Sequence, residues 1–540
     1  MADRVSPTDR AETLDRIRGT EYDVAVVGGG IAGAGVARDA AMRGLNVVLV
    51  EANDFGSGTT AYSTRLVHGG LRYLEQYDFG LVFESLQERE TLAEIAPHLV
   101  DPLRFLIPQY DESRLYRLKL RLGMTLYDAL SYGKTVPNHE RLSPSRLREA
   151  ESTLPEEGLQ GGFAYYDRQA EFVERLCLET VMDADANGAD VVNHTAATSI
   201  RTNGDSVSGL TIEDDLTGEM IEIESTAVVN AAGPWAEEVV AGLPDATLVR
   251  PAKGIHLVVP RLTENAVTLP TTDGRVVFVV PWNGKSLVGT TDTDYDGDPR
   301  EARATASDVA YLLEEVGRFF PDLDESDVLY AYAGVRPLYD AGGASDSAAV
   351  SRDHEVVEHG RPYAGLLSLV GAKITPYRAA AEDATDAVAE YLGVETPCWT
   401  DATPLPGGRG KPTLGDDLPT ATVDHLASLY GSRAEAVERR VTEDPWLAEP
   451  LCSHTDDILA QVTVAVEEEY ARRLTDVMFR RCTVGFEGCE GRDAVETVAD
   501  HMATLLDWDE ERTREEIDRY ETVIDRRHAF EDDHRTRVST

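Results

Sequence analysis

A strand, a glycine loop and a helix open the patterned part of this chain, and they constrain everything that follows. Tyr22–Val27 is a short apolar run of buried-strand type, followed by Gly28, Gly29, Gly30, Ile31, Ala32 and Gly33. An Ala-rich helical stretch from Ala34 to Arg43 comes next, then Gly44 as its cap, and a second strand from Asn46 to Val50 that ends in Glu51 and Ala52. This is a βαβ unit of about thirty residues, the setting that a dinucleotide fingerprint requires. Gly28 permits the tight turn, Gly30 lets the backbone approach a pyrophosphate, and Gly33 lets the helix pack on the strand. The N–H groups at the helix start offer donors and positive dipole to phosphate. Glu51 is placed to accept hydrogen bonds from ribose hydroxyls.

Three later segments separate FAD from NAD as the expected cofactor. Gly56–Gly70 is rich in Gly, Ser and Thr and can run beneath an extended cofactor, with Thr59, Thr60, Ser63, His68, Gly69, Gly70 and Leu71 as contacts. Ala227–Trp235 is a strand running into a small-residue turn, with Ala231, Gly233 and Trp235 at the close approach. Leu366–Arg378 is a strand and glycine turn feeding a helix, with Gly371, Lys373, Ile374 and Thr375 at its start. A helix N-terminus with Lys373 beside it would stabilise negative charge on the N1/C2 side of a reduced flavin. In this order the three segments point to FAD.

Strand-like runs recur at 190–192, 226–230, 255–259, 276–280 and 366–370, with helical patterns between them, Glu171–Ala186 among these. The expected fold is α/β: a Rossmann-like FAD-binding domain interleaved with an antiparallel substrate-binding sheet, plus an all-α C-terminal domain. The expected division is a flexible N-terminus over 1–21 and an oxidoreductase region over 22–400. Within that region FAD-binding parts fall near 22–95, 160–240 and 345–400, and substrate-binding parts near 96–159 and 241–344. Residues 401–419, within a stretch from Thr400 to Pro419 carrying four prolines and four glycines, read as a linker, and 420–540 as a separate, acidic helical domain.

Charge and cysteine usage exclude several other classes. With 97 acidic against 51 basic residues and a net charge of −46, the chain repels phosphate backbones, so nucleic acid is not an expected partner. Only six of the basic residues are lysines (119, 134, 253, 285, 373 and 411), a balance suited to molar salt, where counter-ions screen self-repulsion. The five cysteines (177, 398, 452, 482 and 489) include no CxxC pair, so the spacing suggests no metal or iron–sulfur site. The N-terminus has no signal-type apolar run and nowhere do eighteen apolar residues follow one another. A cytoplasmic protein, peripheral on the inner face of the cell membrane, is the expected localisation.

The run Leu66–Glu75 (LVHGGLRYLE) resembles the signature of FAD-dependent glycerol-3-phosphate dehydrogenases, within the glycine-oxidase/D-amino-acid-oxidase superfamily. The likeness extends through Asn230–Trp235, Lys253–His256, Gly289–Asp292, Gly334–Pro337, Ser351–Asp353 and Gly371–Lys373, in family order from about residue 22 to 400. The tail is similar to the family's C-terminal helical domain, and Ala372 departs from a position commonly glycine. The resemblance implies oxidation of sn-glycerol 3-phosphate to dihydroxyacetone phosphate, with the C2 hydride passing to flavin N5. It implies that Arg72, Tyr73, His256, Arg336, Arg352 and Lys373 line the substrate pocket. Arg forks suit a phosphate dianion. Arg336 reads as lying in a turn bounded by Gly334 and Pro337, and Arg352 as following a strand-like Ala348–Ser351. His256, with an ordinary pKa near neutrality, is one candidate base, and Arg336 or a water relayed through it is the other. Lys373 completes the catalytic set. Electrons would pass to a membrane quinone or to companion subunits, as for the catalytic A subunit of a multi-subunit form. An oxidase using O2 and a flavin-bearing assembly or sensing subunit are the competing readings.

One segment reverses the charge of its surroundings. Between Ser113 and Lys134 lie Arg114, Arg117, Lys119, Arg121 and Lys134 against Asp128 alone. On a helix, Arg114, Arg117 and Arg121 share one face, while Leu115, Leu118, Leu122, Leu126 and Ala129 share a neighbouring one. Such a segment lies at a membrane surface, or packs its leucines into the core.

Overall fold

A computed structural model describes residues 10–76, 78–243, 248–340, 353–415 and 418–531. Two sheets carry the oxidoreductase region. In the first, Leu366–Val370, Glu219–Asn230, Glu21–Val27, Val47–Val50 and Asp190–Val192 lie side by side in parallel, with Glu355–Glu358 antiparallel at one edge. Valines fill the centre because these strands are covered on both faces. Helices Ile31–Met42, Val173–Ala186 and Tyr377–Leu392 cover one face. Gly35 makes their contact close: a Cβ there would stand 2.8 Å from that of Ala381.

The other face is covered by a helix at Arg10–Gly19, where a flexible terminus was expected over 1–21. Leu14 and Ile17 are buried, and Arg10 and Arg16 pair with Asp214 and Asp190 at 2.6 and 2.7 Å. Apolar burial and charge partners far along the chain fix a segment whose own sequence looks polar.

The second sheet is mixed and mostly antiparallel. Strands Val249–Pro260 and Tyr330–Tyr339 pair from Val249 opposite Tyr339 to Val258 opposite Tyr330, with Ala252 opposite Arg336 and His256 opposite Tyr332. Strands Asp101–Tyr110, Leu159–Gln169, Ala266–Pro270, Val276–Trp282 and Lys285–Gly289 extend the same sheet. Mixed α/β architecture with an antiparallel second sheet and a helical C-terminal part is thus observed as expected.

The C-terminal helices do not form a separate core. Tyr430, Val464, Met478 and Phe486 pack in one apolar cluster with Phe105, Tyr165, Trp282 and Tyr330 of the second sheet. Buried ion pairs tie the C-terminal helices to the first sheet's side as well: Arg481 and Arg480 reach Asp54, after strand Val47–Val50, and Arg175 on helix Val173–Ala186 reaches Glu469 at 2.6 Å. The region 420–540 reads as independent in sequence because its partners lie hundreds of residues earlier.

Candidate active site

Gly28 has φ +104° and would place a Cβ 2.6 Å from the Ala231 carbonyl oxygen, so fingerprint and second glycine turn touch only without a side chain. A Cβ on Gly33 would stand 1.9 Å from the Gly28 oxygen, so the loop and the helix start meet there only without a side chain. Glu51 accepts from the backbone N–H of Gly29 (2.6 Å) and of Asn53 (2.8 Å). Burial pushes its carboxyl up while these donors oppose the shift. A carboxylate oxygen accepting one such bond keeps a lone pair for a ribose hydroxyl. Ala52 beside it is exposed. Thr60 Oγ1 accepts from the Ile31 N–H at 3.1 Å, so its own proton can be donated to a phosphate at the helix start beside Gly30 and Ala32.

From Thr59 to Gly70 the chain links all the expected parts. Thr59 Oγ1 donates to the Val335 carbonyl (2.6 Å), and the backbone of Tyr62 lies over Gly334 with no room for a Cβ between. The Ser63 carbonyl accepts from the Tyr332 hydroxyl at 3.0 Å, and Thr64 Oγ1 lies 2.8 Å from His256 Nε2. The His68 N–H donates to Thr375 Oγ1 (3.0 Å), and the Gly69 N–H donates to the Tyr127 hydroxyl (3.0 Å). Arg65 anchors the run: it is buried, takes the left-handed φ of 61°, and pairs with Glu174 through both guanidinium nitrogens, over the Trp282 ring. The segment therefore passes in turn over the fingerprint helix, the second sheet and the start of helix Tyr377–Leu392. That is the corridor an extended dinucleotide needs.

Strand alternation puts Ala252, Gly254 and His256 on one face of their strand, with Tyr332, Gly334 and Arg336 on the same face of the next. Lys253 points the other way and pairs with Asp308 at 2.7 Å. His256 is buried and stacks on Tyr332, ring centroids 5.0 Å apart, and its Nδ1 is buried with no hydrogen-bond partner among the described residues. Burial, then the Arg336 and Arg65 guanidiniums, push the imidazole down to about 3, which favours the neutral ring near pH 7. Burial likewise lowers His68.

Arg336 lies within a strand, not in a turn as its flanking Gly and Pro suggested. Pro337 is tolerated there because it sits opposite Pro251 in the ladder, another residue with no N–H to donate. The guanidinium donates to Thr290 Oγ1 (2.8 Å) and the Thr291 carbonyl (3.2 Å), and faces Asp292 at 3.4 Å. Gly254 makes room for it: a Cβ there would stand 2.4 Å from a guanidinium nitrogen.

Lys373 Nζ stands 4.9 Å from the Tyr73 ring centroid, so those two expected residues meet. Gly371 takes φ +78° against the Asp353 carbonyl, and Ile374 is half-buried behind it. Leu71 and Arg72 lie in a 3-10 turn, while the Arg72 side chain and Arg352 fall outside the described residues. Gly233 has φ +58°, and the Trp235 ring packs on Gly58. Thr64, Tyr332 and Thr290 were not singled out by sequence. Thr64 had only the Gly/Ser/Thr-rich run Gly56–Gly70 as a signal and Thr290 only the Gly289–Asp292 run, while Tyr332 had none.

Glycines placed where backbones meet, a half-buried carboxylate at a strand end, and a neutral imidazole beside a guanidinium define an oxidoreductase that binds a dinucleotide. The residues present fit FAD. Residues 23–378 match the pattern of the family described as FAD dependent oxidoreductase, and residues 398–513 match the C-terminal domain of alpha-glycerophosphate oxidase. The glycerol-3-phosphate dehydrogenase of Synechocystis sp. is 37% identical across 94% of this chain and 97% of its own. The D-erythritol 1-phosphate dehydrogenase of Brucella abortus is 37% identical across 85% of this chain and 93% of its own. The X-ray structure of the Bacillus halodurans glycerol-3-phosphate dehydrogenase complexed with FAD superposes with a TM-score of 0.78 at 31% identity, covering 97% and 98% of the two chains. The chain belongs to the FAD-dependent glycerol-3-phosphate dehydrogenase family.

Proposed function

We propose that this protein oxidises sn-glycerol 3-phosphate to dihydroxyacetone phosphate. The observation that carries the reading is the shared face of His256 and Arg336, with Thr59–Thr64 laid directly over it. FAD, when bound, supplies the hydride acceptor. Arg336, held by Thr290 and Thr291, offers a fork to the phosphate, and Lys373 beside Tyr73 adds positive charge at the start of helix Tyr377–Leu392. With Nε2–H donating to Thr64, His256 Nδ1 is the atom that takes the C2 hydroxyl proton. Burial first and the guanidinium charges second hold the imidazole down, and the substrate dianion offsets the second of these, so binding raises the basicity of His256. Arg72 and Arg352 complete the phosphate site in this reading. The test is anaerobic bleaching of the bound flavin: glycerol 3-phosphate bleaches it, glycerol does not, and erythritol phosphate does so more slowly. Equal rates with the two phosphates would assign a broader polyol phosphate specificity.

The electron acceptor is reached at a membrane surface, in the same proposal. No helix among the described residues is long and apolar enough to cross a membrane. Helix Arg114–Leu130 instead buries Met124 and Tyr127 and turns its leucine stripe outward: Leu115 is 77%, Leu118 52% and Leu122 62% exposed. Its basic residues among 97 acids suit anionic lipid, and Phe79, Phe83 and Tyr132, all exposed, add apolar surface. Tyr127 on its inner face holds the Gly69 N–H, so this helix is tied to the flavin corridor. A quinone in the bilayer is the acceptor this favours, and a companion subunit the alternative. The acid excess supports work at high salt, which a thermal midpoint rising steeply with KCl would bear out.

A further inference from the structure

The cysteine spacing suggests no metal site, but the fold brings together residues that the spacing keeps apart. Cys452 and His454 lie on a loop closed by a bridge between Pro450 and Ile458 and by the Leu451 N–H to the Asp457 carbonyl at 2.9 Å. Cys489 lies on a second tight turn, fixed by the Glu490 N–H to the Glu487 carbonyl (2.9 Å) and the Arg492 N–H to the Cys489 carbonyl (3.0 Å). Cys452 Sγ, His454 Nδ1 and Cys489 Sγ all lie within 4.8 Å of one another. His454 Nδ1 is 3.9 Å from Cys452 Sγ and 3.3 Å from Asp493 Oδ2, and the His454 N–H donates to Cys452 Sγ at 3.4 Å. For ligands at about 2.0–2.3 Å from a tetrahedral zinc ion, neighbouring donor atoms stand about 3.3–3.8 Å apart. The three donors Cys452, His454 and Cys489 need to draw together by at most about 1 Å, and Asp493, which stands on the imidazole at 3.3 Å and outside that group, would turn in as the fourth ligand.

We propose that Cys452, His454, Cys489 and Asp493 form a zinc site. Two thiolates, an imidazole and a carboxylate make a tetrahedral, borderline-soft donor set, too poor in sulfur for an iron–sulfur cluster. A second buried group, Asp54, His194 and Asp476, has the wrong surroundings, because Arg480 and Arg481 already take up its charge. Binding releases the two thiol protons to solvent and moves no electrons. The ion would staple the 450–458 loop to the 487–493 turn. That turn carries Glu487, which holds Lys285 at 2.8 Å and Asn283 at 3.0 Å in the second sheet. The role is structural, reinforcing the contact between the C-terminal helices and the substrate sheet.

The test uses reduced, chelator-stripped holoenzyme titrated with Zn2+ against a metallochromic indicator, and separately with Co2+. One equivalent of Zn2+ is expected, with a rise in thermal midpoint, and Co2+ should give the intense long-wavelength bands of a tetrahedral thiolate complex. Cys452→Ser and Cys489→Ser should each weaken Zn2+ binding at least about a hundredfold, and Asp493→Asn about tenfold, with flavin content retained. If a cysteine variant fails to fold, the wild-type Co2+ spectrum still decides. No uptake by the reduced protein, an octahedral Co2+ spectrum, or uptake unchanged in the cysteine variants would overturn the site.

Discussion

His256 Nε2 lies 2.8 Å from the Thr64 hydroxyl across 192 residues of sequence, joining the second sheet to the segment that runs along the flavin corridor. This bond fixes the ring while Nδ1 has no hydrogen-bond partner among the described residues. His256→Gln should lower kcat about 10²–10⁴-fold in dye-linked turnover with FAD content intact. Thr64 acts through the imidazole as a positioning residue. Thr64→Val should lower kcat and shift the acid limb of the pH–rate profile with little change in KM, and Thr64→Ser should restore both. A shift in KM alone would place His256 in binding and not in proton transfer.

The same histidine makes stability depend on pH. Its folded pKa of about 3 lies below the ordinary value near 6.5, so between these values the unfolded chain binds more protons. Stability is therefore lost as pH falls from about 6.5 toward 3. Urea midpoints across that window should fall less steeply for His256→Gln than for the wild type. Parallel curves would show that the ring is not held neutral by its surroundings.

Arg336 and Gly254 test the phosphate site from opposite directions. Arg336→Ala removes a charge-assisted contact worth roughly 1.5–3 kcal/mol, or about tenfold to over a hundredfold in kcat/KM. Gly254→Ala leaves the guanidinium in place but pushes on it, since the new methyl would stand 2.4 Å from its nitrogen and 2.6 Å from Thr290 Oγ1. It should raise KM for glycerol 3-phosphate without loss of flavin. Unaltered kinetics in both variants would move the phosphate elsewhere.

Local patterns carried most of the cofactor half of this molecule. Gly28, Gly33 and Glu51 are legible because each answers a backbone requirement within thirty residues of the others. What the sequence hides is long-range. Arg336 reads as a turn residue beside Gly334 and Pro337, and only the register with Val249–Pro260 shows that both serve a strand. Thr64 and Thr290 lie inside marked runs that do not single them out, Tyr332 lies in none, and their part in the site exists only once the chain from 59 to 70 crosses the second sheet. The helix at Arg10–Gly19 escaped for the same reason, since Asp214 and Asp190 supply the charges that hold it.

The membrane proposal rests on which way helix Arg114–Leu130 faces. Two readings of its leucines were open in the sequence, and the structure turns Leu115, Leu118 and Leu122 outward, with Met124 and Tyr127 inward. Fully burying a leucine is worth about 1.5–3 kcal/mol, and each Arg or Lys near an anionic surface adds about 1 kcal/mol. Several of each suffice for reversible attachment without a spanning segment. The protein should co-sediment with anionic vesicles at moderate salt and less at high salt. Arg117→Glu with Arg121→Glu should abolish the electrostatic part, and Leu118→Ser with Leu122→Ser the salt-resistant part. Dye-linked activity should survive both pairs, because only the inner face, through Tyr127, touches Gly69. Quinone-linked activity in vesicles should fall with attachment. Binding unchanged in both double variants would refer attachment to another surface, and quinone turnover unchanged after detachment would show that the acceptor is met in solution.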